Sequence, residues 1–112
     1  MDALELALKY NDLLTLYGPL MTETQREILE DYFAFNLSLT EIAENRGCSR
    51  SAVEDAIKKG KAKLDKLESQ IGNYSLLLEI YDKKTKTSNL ETLKVLDEVE
   101  RKLKHGIWVL NR

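Results

Sequence analysis

One stretch of the sequence, residues 39–59, constrains the fold more than any other; it reads LTEIAENRGCSRSAVEDAIKK. Ala43 is small enough to let a second helix cross close to its own, and Gly47 can adopt the left-handed conformation that ends a helix. Ser49 can cap the next helix by accepting a hydrogen bond from a free backbone N–H. The apolar residues after this cap recur at helical spacing: Val53, Ala56 and Ile57. The pattern predicts a helix-turn-helix, with its first helix within residues 40–46 and with Cys48 pointing into the angle between the two helices.

The second helix of this motif should expose a charged face, because the residues between its apolar positions point away from the core. These residues are Arg50, Ser51, Glu54, Asp55, Lys58 and Lys59. In a DNA-binding helix-turn-helix this face enters the major groove, so Arg50 and Ser51 should approach base edges. The phosphate contacts should come from Lys58, Lys59 and Lys61. Glu54 and Asp55 oppose this interpretation because they repel phosphates, although a carboxylate can accept a hydrogen bond from cytosine N4. The alternative is a helical hairpin whose second helix binds nothing.

The net charge of −2 does not by itself favour a polyanionic partner, but the charge is unevenly distributed. Residues 1–38 contain two basic and seven acidic residues, a net of −5, whereas residues 39–68 contain seven basic and six acidic ones, a net of +1. Within residues 58–66, five lysines against one aspartate make a local patch of +4. The patch lies at the far end of the proposed recognition helix, where phosphate contacts are expected, although a solvated helix flank has the same composition.

Two further helices should precede the motif. The first spans residues 2–17 and should bury an apolar stripe made of Leu4, Leu8, Leu13, Leu14 and Tyr17. Gly18-Pro19 ends it, because proline disfavours a helical residue before it. Thr22 and Gln25 have the spacing of a capping box, so a second helix should begin there. Its buried face should comprise Ile28, Leu29, Tyr32 and Phe33. Ser38 or Thr40 can then cap the first helix of the motif.

The C-terminal part of the sequence should form a helical hairpin. The second motif helix should continue past Gly60, and an apolar stripe with 3-4-3-4-3 spacing then crosses a break at Gly72-Asn73. The stripe consists of Leu64, Leu67, Ile71, Tyr74, Leu78 and Tyr81. We divide the chain into a helix-turn-helix domain, residues 1–72, and a C-terminal hairpin, residues 73–112, which can belong to the same domain.

A polar loop over residues 83–89 should lead to a last helix, which Ser88 or Asn89 can cap. The apolar residues of this helix are Leu90, Leu93, Leu96, Val99 and Leu103. His105-Gly106 should stop it. The apolar tail of residues 107–110 must then dock on the rest of the chain, since an exposed apolar segment is a sticky patch.

The composition favours an all-α protein, since five glycines and one proline leave few breaks and no strand-like alternation is present. Cys48 and His105 are the only residues of their types, and the glycines are too isolated to form a phosphate loop. We therefore expect no enzyme activity, no metal and no cofactor. The longest uncharged runs reach about half of the ~20 residues that a membrane span needs. A single cysteine suits a reducing compartment. We expect a cytoplasmic protein without a membrane span.

Over residues 10–72 the sequence resembles a small bacterial family of YlxM type. The resemblance is carried by three runs: DLLTLYGPLMTETQREILEDYF, NLSLTEIAENRGCSRSAVEDAIKK and LDKLESQIG. It implies a cytosolic all-α chain similar to the fourth region of sigma factors, with a homeodomain-like or winged-helix-like three-helical core. It also implies a DNA-binding regulator or a participant in the signal recognition particle pathway. The residues that match the family's SRxAVxDxIK element are Ser49, Arg50, Ala52, Val53, Asp55, Ile57 and Lys58. Cys48 and Glu54 depart from the family, where an aliphatic and an aromatic residue are usual.

Three functional classes follow from these observations. The first is a helix-turn-helix regulator that binds DNA without a cofactor. The alternative is a protein–protein adaptor of the signal recognition particle pathway, whose mixed-charge face binds a basic partner such as a signal-recognition GTPase. The third is a structural dimer whose face is inert. We also expect a homodimer formed through the C-terminal half, because its apolar stripes hold more apolar surface than one short hairpin hides.

Overall fold

The structure, a computed structural model that describes residues 1–110, is helical over most of its length. The helices are α1 (Ala3–Tyr17), α2 (Glu23–Phe33), α3 (Leu39–Arg46), α4 (Arg50–Ile71), α5 (Asn73–Thr85) and α6 (Leu90–Leu110), and a 3₁₀ turn, Gly18–Leu20, follows α1. This part of the chain contains no strand, so the all-α prediction is confirmed. Residues 111–112 of the proposed C-terminal hairpin and the side chain of Leu110 lie outside the described residues.

Side-chain caps begin the helices at the positions that the sequence indicated. Thr22 Oγ1 accepts a hydrogen bond from the backbone N–H of Gln25 at 3.2 Å, which starts α2. Of the two candidate caps for α3, Ser38 is the one used, and it forms a reciprocal capping box with Glu41. Asn89 Oδ1 likewise accepts from the Thr92 N–H at 3.0 Å at the start of α6. These bonds satisfy backbone donors that a helix leaves free in its first turn.

Helix α4 lies at the centre of the fold, packed against α1, α2, α3 and α5. It packs closely on α2 where Gly60 faces Leu29: a Cβ placed on Gly60 would lie 2.5 Å from Leu29 Cδ1. The buried core around this crossing comprises Tyr10, Leu13, Leu14, Leu16, Tyr17, Met21, Ile28, Leu29, Phe33, Ile42, Ala43, Val53, Ile57, Leu64 and Leu77. Most of the core therefore comes from α1 to α4.

The predicted apolar stripe of α1 is wrong in its N-terminal half. Leu4 is 69% exposed and Leu8 is 58% exposed, whereas Leu13 and Tyr17 are buried. At 100° per residue, Leu4 and Leu8 lie on nearly the opposite side of the helix from Leu13, so one straight helix cannot bury both sets in the same core. On α2, Tyr32 is also exposed, contrary to the prediction, and its ring packs edge-on against Phe33 instead.

The C-terminal helices form a hairpin that packs against α1. Helix α5 ends later than expected, at Thr85, and buries Leu77 and Ile80. The predicted stop at His105-Gly106 is wrong, because α6 continues to Leu110. Gly106 faces open space, so neither packing nor a turn requires the helix to end there. The two predicted apolar stripes are only partly buried.

Several residues of the two predicted C-terminal stripes are exposed. On the first stripe these are Ile71 and Leu78, and on the second they are Leu90 and Val99. The residues of α6 that pack against the core are Leu103 and Ile107. The two stripes therefore leave apolar surface uncovered on a single chain.

The apolar tail of residues 107–110 docks through Trp108. The Trp108 Nε1–H donates a hydrogen bond to the backbone oxygen of Thr15 at 2.6 Å, and the Arg26 guanidinium lies 5.4 Å from the centroid of the ring. Gly18 provides the room for this ring, because a Cβ there would lie 2.9 Å from Trp108 Cζ2. The end of α6 is thereby fixed on α1 and α2.

Within the described residues, the structure has no helix that combines the length and the apolar character needed to cross a membrane.

Gly60→Ala tests the close crossing of α4 on α2. The added methyl must displace the buried Leu29 side chain, so we expect a loss of about 1–3 kcal/mol in the free energy of unfolding, although alanine is the better helix former. Gly106→Ala is the matched control, because it adds the same methyl in a helix where nothing lies within 4 Å. Urea unfolding of the two variants measures both effects. Equal stability of the two proteins would contradict the close packing.

Candidate nucleic-acid interface

The predicted helix-turn-helix is present, formed by α3, a turn at Gly47 and α4. Gly47 has a positive φ of 65°, and the N–H of Cys48 donates to the Ala43 carbonyl at 3.0 Å, which closes the end of α3. Ser49 then caps α4, its Oγ accepting from the Ala52 N–H at 3.0 Å. The first motif helix begins at Leu39, one residue before the predicted range. The local signals in residues 38–52 were therefore sufficient to place the motif.

Cys48 does not point into the angle between the helices, as the sequence suggested; it is exposed. That angle is filled by Ile42, Ala43 and Val53, all of which are buried. Cys48 is therefore a surface residue of the turn.

The N-terminal turns of α4 present the predicted charged face to solvent. The exposed residues there are Arg50, Ser51, Glu54, Asp55, Lys58 and Lys59. Two of the cations are paired with carboxylates one turn away on the same helix. Arg50 Nε lies 3.6 Å from Glu54 Oε1, and Lys59 Nζ lies 2.9 Å from Asp55 Oδ2. The face is therefore largely neutralised by its own carboxylates, while Lys58 forms no ion pair within the described part of the chain.

Lys61 lies on the flank of α4 and not on the same face as Ser51. It is half-buried, and its Nζ sits 5.2 Å from the centroid of the Tyr10 ring. Together with Lys58 it lines a groove of about 450 Å³ beside α1 and α2, whose other walls include Tyr32 and Leu39. The structure thus brings Lys58 and Lys61 together at one edge of the exposed face.

Arg46 holds α3 against α2, and sequence reasoning did not single it out. Its Nη2 lies 3.3 Å from Glu27 Oε2 and 3.3 Å from Asp31 Oδ2. The Arg46 side chain is three-quarters buried, and its Nε has no hydrogen-bond partner in the described part of the chain. The available signal was a pair of acids at i, i+4 on α2 and an arginine just before the turn glycine. Arg46 therefore bridges two carboxylates of α2 through charge-assisted hydrogen bonds, which hold the first helix of the motif against the core.

Two tyrosine–carboxylate hydrogen bonds anchor the C-terminal half of α4 to α1. The Tyr10 hydroxyl donates to Asp65 at 3.0 Å. The Tyr17 hydroxyl donates to Glu68 Oε1 at 2.6 Å and accepts from the Asn73 N–H at 3.1 Å. Burial, and after it the carboxylate, raise the pKa of both tyrosines to about 12. Each carboxylate therefore stabilises the protonated phenol and fixes the orientation of α4.

No group of three or more His, Cys, Asp or Glu side chains in residues 1–110 is arranged to hold a metal ion.

Tyr17→Phe should reduce the free energy of unfolding by about 1–3 kcal/mol at pH 7, because Glu68 and the Asn73 N–H each lose a partner. The folded state keeps Tyr17 protonated above the unfolded value of about 10. Its contribution is therefore complete below pH 10 and is lost as the pH rises towards 12. The variant should lose less stability than the wild type between pH 9.5 and 11.5, as measured by urea unfolding.

The control for this change at pH 7 is Tyr32→Phe, since Tyr32 is exposed and its hydroxyl forms no hydrogen bond within residues 1–110. That variant should be as stable as the wild type. A Tyr17→Phe protein that unfolds like the Tyr32→Phe protein would rule out the anchoring role.

Comparison with known proteins agrees with this geometry. The family model described as "Putative helix-turn-helix protein, YlxM / p13 like" matches residues 4–105. A UPF0122 protein of Malacoplasma penetrans is 41% identical over 92 residues, which cover 80% of this chain and 85% of the relative. A UPF0122 protein of Acetivibrio thermocellus is 40% identical over 88 residues, covering 79% of this chain and 71% of that protein. The chain therefore belongs to the YlxM/p13-like helix-turn-helix family.

Proposed function

We propose that the protein is a regulatory protein that binds double-stranded DNA without a cofactor, with the N-terminal turns of α4 in the major groove. The observation that carries this proposal is the α3–turn–α4 unit, whose second helix is capped by Ser49 and exposes Arg50 and Ser51 in its first turn. A recognition helix contacts base edges with its N-terminal residues. Membership of a helix-turn-helix family supports the same function.

The cations of α4 have separate roles in this proposal. Arg50 and Ser51 read bases, since they lie in the turn that enters deepest. Lys58 and Lys59 lie two turns further on and contact phosphates, as does Lys61 at the edge beside Tyr10. Phosphate contacts supply affinity for any sequence, and base contacts supply discrimination.

The intrahelical ion pairs set a condition on DNA binding. Arg50 and Lys59 must exchange their carboxylates for a base or a phosphate. This exchange costs little, because exposed pairs of this kind contribute only about 0.3–0.5 kcal/mol. Glu54 and Asp55 then stay on the groove side, where they repel phosphates unless one of them accepts a hydrogen bond from cytosine N4.

The same pairs favour a second candidate function, an adaptor that binds a protein of the signal recognition particle pathway. A face on which two cations are already paired with carboxylates has little attraction for a polyanion. Glu54 and Asp55 would instead bind a basic partner, for which such a mixed-charge surface is complementary. The resemblance to the YlxM-type family is what implies this pathway.

We further propose that the functional form is a homodimer in the cytoplasm. The described residues leave several large apolar side chains uncovered at the end of α4 and on α5 and α6, among them Ile71, Leu78, Leu90 and Val99. Burial of apolar surface stabilises association by about 25 cal/mol per Å² before the costs of association. A dimer would also present two α4 helices to paired half-sites.

Alanine substitutions separate the two kinds of DNA contact. Lys58→Ala and Lys59→Ala should weaken binding to all sequences alike and make the dependence of log K on log salt concentration shallower by about one unit each. Arg50→Ala should cost about 1–3 kcal/mol on the preferred site only. Fluorescence anisotropy at several salt concentrations measures these effects. Lys94→Ala, an exposed change on α6, is the control and should leave binding unchanged.

A double change of the carboxylates distinguishes DNA binding from the adaptor function. Glu54→Gln with Asp55→Asn should raise non-specific DNA affinity, because two repulsive charges leave the groove side. If the adaptor function holds, the same variant should lose affinity for a basic signal-recognition GTPase, and the wild type should bind DNA weakly at physiological salt. Glu98→Gln is the matched control. It removes the carboxylate of an exposed i, i+4 pair on α6 and should change neither DNA binding nor binding to the GTPase.

A further inference from the structure

The joint between α4 and α5 consists of one residue. Helix α4 ends at Ile71, α5 begins at Asn73, and Gly72 between them has a φ of 78°. The Gly72 N–H still donates to the Glu68 carbonyl at 2.9 Å, and the Leu76 N–H donates to the Gly72 carbonyl at 3.2 Å. Helical hydrogen bonds thus reach Gly72 from both sides. Rotation of this one residue into the right-handed region would make residues 50–85 a single helix.

The bonds that hold the bend have direct replacements in the straight helix. In the bent chain the Asn73 N–H donates to the Tyr17 hydroxyl, and the Tyr74 and Ser75 N–H groups donate to the Glu68 carboxylate. In a continuous helix these three donors would instead bond to the carbonyls of residues 69, 70 and 71. Straightening therefore leaves no backbone donor without a partner.

The apolar pattern of the sequence continues across the bend. Ile71 is 43% exposed and Leu78 is 47% exposed in the bent chain. They are seven residues apart, so in a continuous helix they would lie two turns apart on the same face. The 3-4-3-4-3 stripe from Leu64 to Tyr81 would then be unbroken, which is the pattern of a helix that packs against another helix. In the bent chain, part of this stripe is exposed to solvent.

We propose that Gly72 is a hinge, and that two copies of this chain exchange their α5–α6 hairpins when it straightens. A straightened chain exposes Leu77 and Ile80, which are buried in the bent form, and removes Trp108 from its site against Thr15 and Arg26. A surface that fits these side chains exists on α1 and α2 of a second copy. Ile71 and Leu78 of the two copies then pack against each other where the straight helices cross. Such exchange is a common route to dimers.

This inference rests on the homodimer proposed above and assigns its interface. The exchanged dimer differs from a dimer of two bent chains in one measurable respect, its persistence after dilution. An exchanged dimer can dissociate only if the hairpins leave the partner, so it persists after dilution. A dimer of bent chains that touch through exposed side chains separates as soon as the concentration falls.

Gly72→Ala tests the hinge. Alanine disfavours the positive φ of the bent form and favours a helix interior, which together shift the bent-to-straight equilibrium roughly 30-fold per chain and the dimerisation constant roughly 1,000-fold. Gly47→Ala is the matched control, because Gly47 also ends a helix with a positive φ and nothing lies within 4 Å of either added Cβ. Light scattering after size exclusion should show a Gly72→Ala dimer that persists for hours at low micromolar concentration, and a Gly47→Ala protein with the wild-type mass.

A second pair of variants tests the stripe in the Gly72→Ala background. Leu78→Ser should lower the dimer fraction at least tenfold, because it removes the contact formed where the helices cross. Leu76→Ser is its control: Leu76 is 45% exposed on the same helix but lies about 160° away from Leu78 around the axis, so the dimer should be retained.

Wild-type protein refolded from denaturant at high concentration gives a test that does not depend on a stable variant. It should contain a dimer fraction that is absent after refolding at low concentration and that does not decay on dilution. A Gly72→Ala dimer that dissociates on dilution overturns the hinge and leaves the homodimer standing. Monomeric wild-type and Gly72→Ala proteins at hundreds of micromolar overturn both. DNA binding through α4 is a separate measurement, so failure of the hinge and failure of the proposed function are distinguishable.

Discussion

The contact between Gly60 and Leu29 determines how the rest of the molecule is arranged, because it sets the distance between α4 and α2. Helices α3 and α1 also pack against α4, and their buried residues Ala43 and Leu13 join Val53 and Leu64 of α4 in one core. A glycine in the middle of a 22-residue helix is unfavourable by about 1 kcal/mol relative to alanine. The close packing of the core offsets that cost. The position of the exposed face of α4 therefore depends on a glycine on the buried side of the same helix.

Electrostatics on α4 divide its surface into two regions. Arg50 and Lys59 are paired with carboxylates of the same helix, whereas Lys61 lies beside the ring of Tyr10. Attraction for a polyanion therefore increases from the first turn of α4 towards its middle. In the proposed complex with DNA, the middle of α4 would contact phosphates first. The paired residues at its N-terminus would exchange their carboxylates for bases only on a suitable DNA sequence.

Local signals predicted the elements of the fold well. The capping residues Thr22, Ser38 and Ser49 and the left-handed glycines at 47 and 72 act within one helical turn, so a short stretch of sequence contains the whole cause. Errors arose where the outcome depends on distant residues. Leu4 and Leu8 match a helix period but have no core beside them, and α6 passes Gly106 because Ile107 and Trp108 pack further on. The motif alone predicted which residues of α4 are exposed in the candidate interface. Their ion-pair partners, and the anchoring hydrogen bonds of Arg46 and Tyr17, became visible only in the tertiary structure.

Trp108 is the single tryptophan of the chain, and it sits at the point where α6 meets α1 and α2. Its indole has both a hydrogen-bond acceptor and a neighbouring guanidinium in that site, and both disappear if the end of α6 leaves. The intrinsic emission spectrum of the protein is consequently a local reporter of one docking event and not an average over the molecule. Comparison of this emission with far-ultraviolet circular dichroism, which measures all the helices together, would separate detachment of α6 from loss of the helical core.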